Sequence, residues 1–91
     1  MTAPSPATQP RVGLGFRLQW EPVQNCHVLL YPEGMVKLNQ SGGEIMTRCD
    51  GQRSVADIVS ELERAFSTQA LGDDVLAFVA MAGNQRWLTW D

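Results

Sequence analysis

The apolar positions keep two different rhythms along the chain. From Phe16 they alternate: Phe16, Leu18 and Trp20 fall on one side, and Arg17, Gln19 and Glu21 on the other. A period of two is the signature of a strand with one buried face. Pro22 ends that strand, because proline removes a ladder donor. Residues 26–31, CHVLLY, form a denser apolar run of strand length. Pro32-Glu33-Gly34 is turn chemistry: proline sets an early turn φ and glycine accepts a positive one. Residues 35–38, MVKL, are the returning strand. The pattern predicts a three-stranded antiparallel sheet.

After Leu38 the period becomes helical. Asn39 or Ser41 caps a first helix, and Ser41-x-x-Glu44 fits a capping box. Ile45, Met46 and Cys49 form its apolar stripe, and Asp50-Gly51 closes it. Gly42 and Gly43 are poor helix residues, costing about 1 kcal/mol each relative to alanine in a helix interior, and close packing would explain them. Ser54-x-x-Asp57 starts a second helix. In it Val55, Ile58, Val59, Leu62 and Phe66 recur at helical spacing. Ser67–Gly72 reads as a loop. A third helix runs from about Asp74 to Gln85, with Asp73 and Asp74 at the positive end of its dipole. Its apolar residues Val75, Leu76, Phe78, Val79, Met81 and Ala82 cover more than one face. It is therefore either sandwiched or presents an apolar surface.

Residues 1–15 read as a flexible arm, with Pro4, Pro6 and Pro10 set among Ser, Thr, Ala and Gln. The expectation is disorder, or an extended arm that orders on a partner, including a second subunit in a homodimer. Residues 16–91 are the folded domain. Three strands followed by three helices give an α+β, winged-helix-like fold in which the helices cover the sheet.

A chain of 91 residues forms one domain with a small core. Its net charge of −3 and its pI near 4.9 argue against nucleic acid, whose phosphates need clustered Lys and Arg. Cys26 and Cys49 are too few for a disulfide scaffold. His27 is the single histidine, and adjacent Cys26 and His27 on a strand point to opposite faces, which disfavours a shared metal ion. No apolar run approaches the ~20 residues of a membrane span, and no secretory pattern opens the chain. The expectation is a cytoplasmic protein with reduced thiols and without a cofactor.

No catalytic constellation appears. His27 lacks a partner motif, and Gly42-Gly43 belongs to no phosphate-binding loop. Asp73-Asp74 reads as helix-end charge. Trp87 and Trp90 read as core or interface anchors rather than a base-stacking platform. The residues do support a peptide groove. The strand Met35–Leu38 would be a sheet edge with unpaired backbone groups, and the third helix is apolar over a wide arc. Side by side they would hold an extended peptide as an added strand. The competing view is that Val75, Phe78 and Val79 are only core.

The ordered series Leu38-Asn39, Ser41, Glu44-Ile45, Cys49-Asp50-Gly51, Val55, Ile58-Val59 and Leu62 resembles the PqqD family, the peptide-binding chaperones of pyrroloquinoline quinone biosynthesis. The resemblance covers about residues 16–83. It departs at Ser41-Gly42-Gly43, where the family usually has Thr-Ala and a helix former, and at the C-terminal AGNQRWLTWD. It implies a non-catalytic domain that binds the precursor peptide PqqA and presents it to PqqE, the radical SAM enzyme that links a glutamate to a tyrosine. The implied cleft has Met35, Val36, Lys37 and Leu38 on one wall and Val75, Phe78, Val79 and Ala82 on the other. Related domains recognise other ribosomally made peptides, so the mode of binding is implied more firmly than the substrate. A winged-helix DNA regulator is the rival reading, and the acidic second helix speaks against it.

Overall fold

The structure, a computed structural model, describes residues 2–90. In chain order its elements are β1 (Arg11–Val12), β2 (Arg17–Glu21), β3 (Cys26–Tyr31), β4 (Gly34–Lys37), α1 (Gln40–Thr47), α2 (Val55–Ala65), α3 (Gly72–Asn84) and β5 (Leu88–Thr89). The expected sheet is present as β2-β3-β4, antiparallel throughout. Leu18, Leu29 and Val36 stand opposite one another across it and define its inward face. The three helices cover that face, as expected for the winged-helix-like arrangement. Leu29, Ile58, Val79 and Leu88 are fully buried between the layers, each contributing about 1.5–3 kcal/mol by leaving water.

α1 lies close to the sheet because its first turn has no side chains on the packing side. A Cβ on Gly43 would lie 2.8 Å from His27 Nδ1 and 3.3 Å from His27 Cβ. A Cβ on Gly42 would lie 3.1 Å from Phe78 Cε1 of α3. The paired glycines therefore let one backbone approach both β3 and α3. Asn39 is the N-cap, its side chain accepting from the Gly42 N–H at 2.7 Å. The capping box expected from Ser41 and Glu44 does not form. Ser41 lies inside the helix, and the Glu44 carboxylate turns to Arg48 at 2.8 Å instead of reaching back. The helix also ends before Asp50-Gly51, with Arg48 as its C-cap. Gly51, at φ +78°, turns the following connection. Arg48, Glu61 and Arg53 then tie α1, this connection and α2 together, with Arg53 Nε 2.7 Å from Glu61 Oε2.

α2 has the capping box its sequence predicts: Asp57 N–H donates to Ser54 Oγ and Ser54 N–H to Asp57 Oδ2, both at 3.0 Å. Its two remaining first-turn donors are met from elsewhere. Val55 N–H donates to the Thr8 carbonyl at 2.8 Å, and Ala56 N–H to the Pro6 carbonyl at 2.9 Å. The N-terminal arm thus docks on its own chain, with a turn at Ser5–Thr8 in which Thr8 N–H donates to the Ser5 carbonyl at 3.0 Å. Pro10 is buried and its carbonyl accepts from Gly51 N–H. β1 pairs antiparallel with β5, with Arg11 opposite Thr89 and Val12 opposite Leu88. This two-stranded sheet was not expected from the sequence, and it carries residues of the 1–15 segment into the folded domain. Prolines suit the arm because it contributes carbonyl acceptors at Pro6 and Pro10 and needs no N–H there. Trp90 is buried and its indole N–H donates to the Thr2 carbonyl at 2.9 Å, in line with an anchoring role.

Two outcomes test this packing. Gly43→Ala is expected to destabilise the domain by about 1–3 kcal/mol in urea unfolding, because the added methyl overpacks against His27. In hydrogen exchange, the Val55 and Ala56 amides are expected to be protected in the full chain and to exchange rapidly once residues 1–9 are deleted.

Candidate functional site

β3 is the central strand, so among the described residues the outer side of β4, like that of β2, has no strand neighbour. Its backbone direction follows from one bond. Leu38 N–H donates to the His27 carbonyl at 3.0 Å. Antiparallel pairs alternate between bonded and non-bonded, and the register runs Leu29 to Val36 and Tyr31 to Gly34. Gly34, Val36 and Leu38 therefore turn their backbone groups toward β3. Met35 and Lys37 turn theirs outward, where an added strand would meet them. The side chains follow the opposite logic: Val36 joins the inward face, while Met35 and Lys37 are on the outer one.

Of the eight residues expected to line a groove, the structure puts four at or near the surface. Met35 is 49% exposed, Lys37 is exposed, and Val36 and Phe78 are half-buried. Leu38, Val75, Val79 and Ala82 are buried in the core. The helix wall implied by the resemblance thus reduces to Phe78, whose ring rests on Gly42. The core reading of Val75 and Val79 holds for this conformation, because α3 packs on α2 and β5 and needs its apolar arc for both. A larger depression of about 930 Å³ lies at the other end of α3, against Thr2, Pro4, Arg11, Arg86 and Trp90. The chain's own arm forms one of its walls, and β4 is not among its lining residues.

His27 packs against Gly43 and lies edge-on to Trp20, with ring centroids 4.9 Å apart. Cys49 donates from Sγ to the Ile45 carbonyl at 3.2 Å. Burial pushes its thiol up to about 12 from the ordinary 9.0, and the neighbouring Asp50 charge adds to the rise. Backbone N–H groups of Arg53 and Gln52 hold the Asp50 carboxyl below its usual range. No cluster of three or more His, Cys, Asp or Glu among the described residues could hold a metal ion. Among the described residues no helix is long and apolar enough to cross a membrane.

Fold and edge together define a small winged-helix-like α+β domain whose outer strand β4 runs into its first helix. Residues 26–88 match the family model described as coenzyme PQQ synthesis protein D (PqqD). A relative called PqqA binding protein, from Pseudomonas aeruginosa strain UCBPP-PA14, is 51% identical over 89 residues, covering 97% of each chain. One of the same description from Azotobacter vinelandii is 51% identical over 80 residues, covering 87% of each. The solution NMR structure of the PqqD truncation of Methylobacterium extorquens PqqCD superposes with a TM-score of 0.80 at 30% identity, over 97% of this chain and 96% of that one. That protein is described as a functional, stand-alone recognition element for ribosomally synthesised and post-translationally modified peptides. On this match of sequence and fold together, the chain belongs to the PqqD family.

The cysteines give a direct check. A thiol reagent at pH 8 is expected to add once, at Cys26, and to spare Cys49, read by mass spectrometry of the digested protein. Between pH 9 and about 12 the unfolded chain releases a Cys49 proton that the folded chain keeps. This group's contribution to stability is therefore complete below pH 9 and is lost as pH rises through that window, which urea unfolding across the range would reveal.

Proposed function

We propose that this chain is a peptide chaperone of pyrroloquinoline quinone biosynthesis. It binds the precursor peptide PqqA on the outer edge of β4 and presents it to the radical SAM enzyme PqqE. The names of its relatives support the ligand. The observation that carries the mode is the pair Met35 and Lys37, whose backbone groups face outward from the end strand of the sheet that leads into α1. An extended peptide pairing there adds a fourth strand. Val36 and Phe78 supply apolar contact beside it, and backbone hydrogen bonds give affinity without demanding particular side chains. Held this way, the peptide meets the enzyme at a raised effective concentration. No group on the chain needs to react, so the role is binding.

The edge can be tested without breaking the sheet. The Met35 N–H points away from β3, so Met35→Pro removes a donor to the added strand and leaves the β3–β4 ladder intact. Calorimetric titration with synthetic PqqA is expected to show at least about tenfold weaker binding to Met35→Pro than to the control Met35→Ala. Unchanged circular dichroism would show that both are folded. Equal affinity for the two folded variants would rule out strand addition at β4.

A further inference from the structure

A second cleft opens where α1, the end of α2 and the start of α3 meet. Ile45, Leu62, Phe66, Leu71 and Val75 wall it, and its volume is about 380 Å³, at the small end of ligand-binding cavities. Phe66, at the end of α2, is 47% exposed. A half-exposed phenylalanine beside an apolar hollow has buried area left to gain. The charged residues on the rim are Glu44 and Asp74, and no lysine or arginine lines it. Glu44 is already engaged by Arg48. Asp74 has no ion pair among the described residues.

The cleft adjoins the β4 edge. Gln40, on its rim, follows Lys37 by three residues, a reach of at most about 10 Å. Asp74 precedes Phe78 by four residues on α3, which puts both on one face. Phe78 in turn rests on Gly42, the neighbour of Ser41 on the rim. A strand laid against β4 and continued past Lys37 therefore arrives at this cleft.

We infer that the cleft is an anchor site for the bound precursor peptide, taking one large apolar side chain that lies next to a lysine or arginine. This rests on the reading of β4 as the peptide's edge and extends it. The apolar walls take the side chain, and the acidic rim, with Asp74 its unpaired carboxylate, takes the neighbouring cation and disfavours an acidic one. Recognition then has two parts. Backbone pairing at β4 is tolerant of sequence, and the cleft selects.

The test uses fluorescein-labelled synthetic PqqA and anisotropy titrations of the full chain. Phe66→Ser and Asp74→Lys both alter exposed side chains and should fold, which circular dichroism checks. Phe66→Ser is expected to weaken binding about tenfold. Asp74→Lys is expected to weaken it about threefold or more at low salt, with the difference shrinking in 0.5 M salt. Replacing the anchoring apolar residue of the peptide by alanine should weaken binding to the wild type but not further to Phe66→Ser. Wild-type affinity in both folded variants, with Met35→Pro defective, would overturn the anchor site and leave the edge reading standing. Wild-type affinity in Met35→Pro would instead overturn the edge reading, and the anchor inference with it.

Discussion

The close approach of α1 to its two neighbours sets the geometry of the rest. Gly42 and Gly43 put bare backbone where a helix normally carries side chains, so one short helix touches His27 of β3 and Phe78 of α3 together. Any side chain there would push the sheet and α3 apart. The distance between them governs how Phe78 stands relative to the β4 edge and how wide the hollow between α1 and α3 can be. Two residues that cost helix stability thereby define the surface where a peptide would lie. In this chain the bare backbone of Gly43 faces the His27 side chain of the opposing strand.

Around that contact the molecule divides its labour. No polar or charged residue is buried as a whole among those described, although the Arg48 Nε atom is covered. Charge is placed at the seams, where Arg48 and Arg53 converge on Glu61 and fasten α1 and its connection to α2. These are half-exposed pairs, each contributing on the order of 1 kcal/mol or less. They fix the angle between helices more than they add to total stability. The β4 edge keeps its bonds to β3 and turns Met35 and Lys37 outward, which is the condition under which a strand can be added without rearranging the host.

Much of this was legible in the sequence, for identifiable reasons. Alternation at Phe16–Glu21 and the dense run at Cys26–Tyr31 located the sheet, because a strand with one wet face must alternate. Ser54 and Asp57 located the start of α2, because each side chain can accept from the other residue's backbone N–H. The misses share a cause. Ser41 and Glu44 carry the same local signature, yet Arg48, a turn away, outcompetes the box for the carboxylate. Val75, Val79 and Ala82 were placed on a groove wall by the family resemblance and are buried here; the periodicity of α3 shows a wide apolar arc and cannot say what covers it. The arm and β5 form a sheet of two residues each, too short to show any period. The cleft beside Phe66 was invisible, since its walls come from three helices whose angles no linear pattern records.

The N-terminal arm has a further meaning. Its carbonyls at Pro6 and Thr8 complete the first turn of α2, and its strand closes on β5. In effect the domain already holds one segment of its own, read largely through backbone atoms and indifferent to most side chains. Such a segment can change its letters freely and still do its work, so it looks like a dispensable leader in the sequence. The region that carries the family signature, residues 26–88, leaves out both this arm and β2. A protein cut to those limits would lose the arm's carbonyls at the start of α2 and would make the apolar strand β3 the sheet's other edge in place of β2, competing with β4 for whatever strand it was meant to receive.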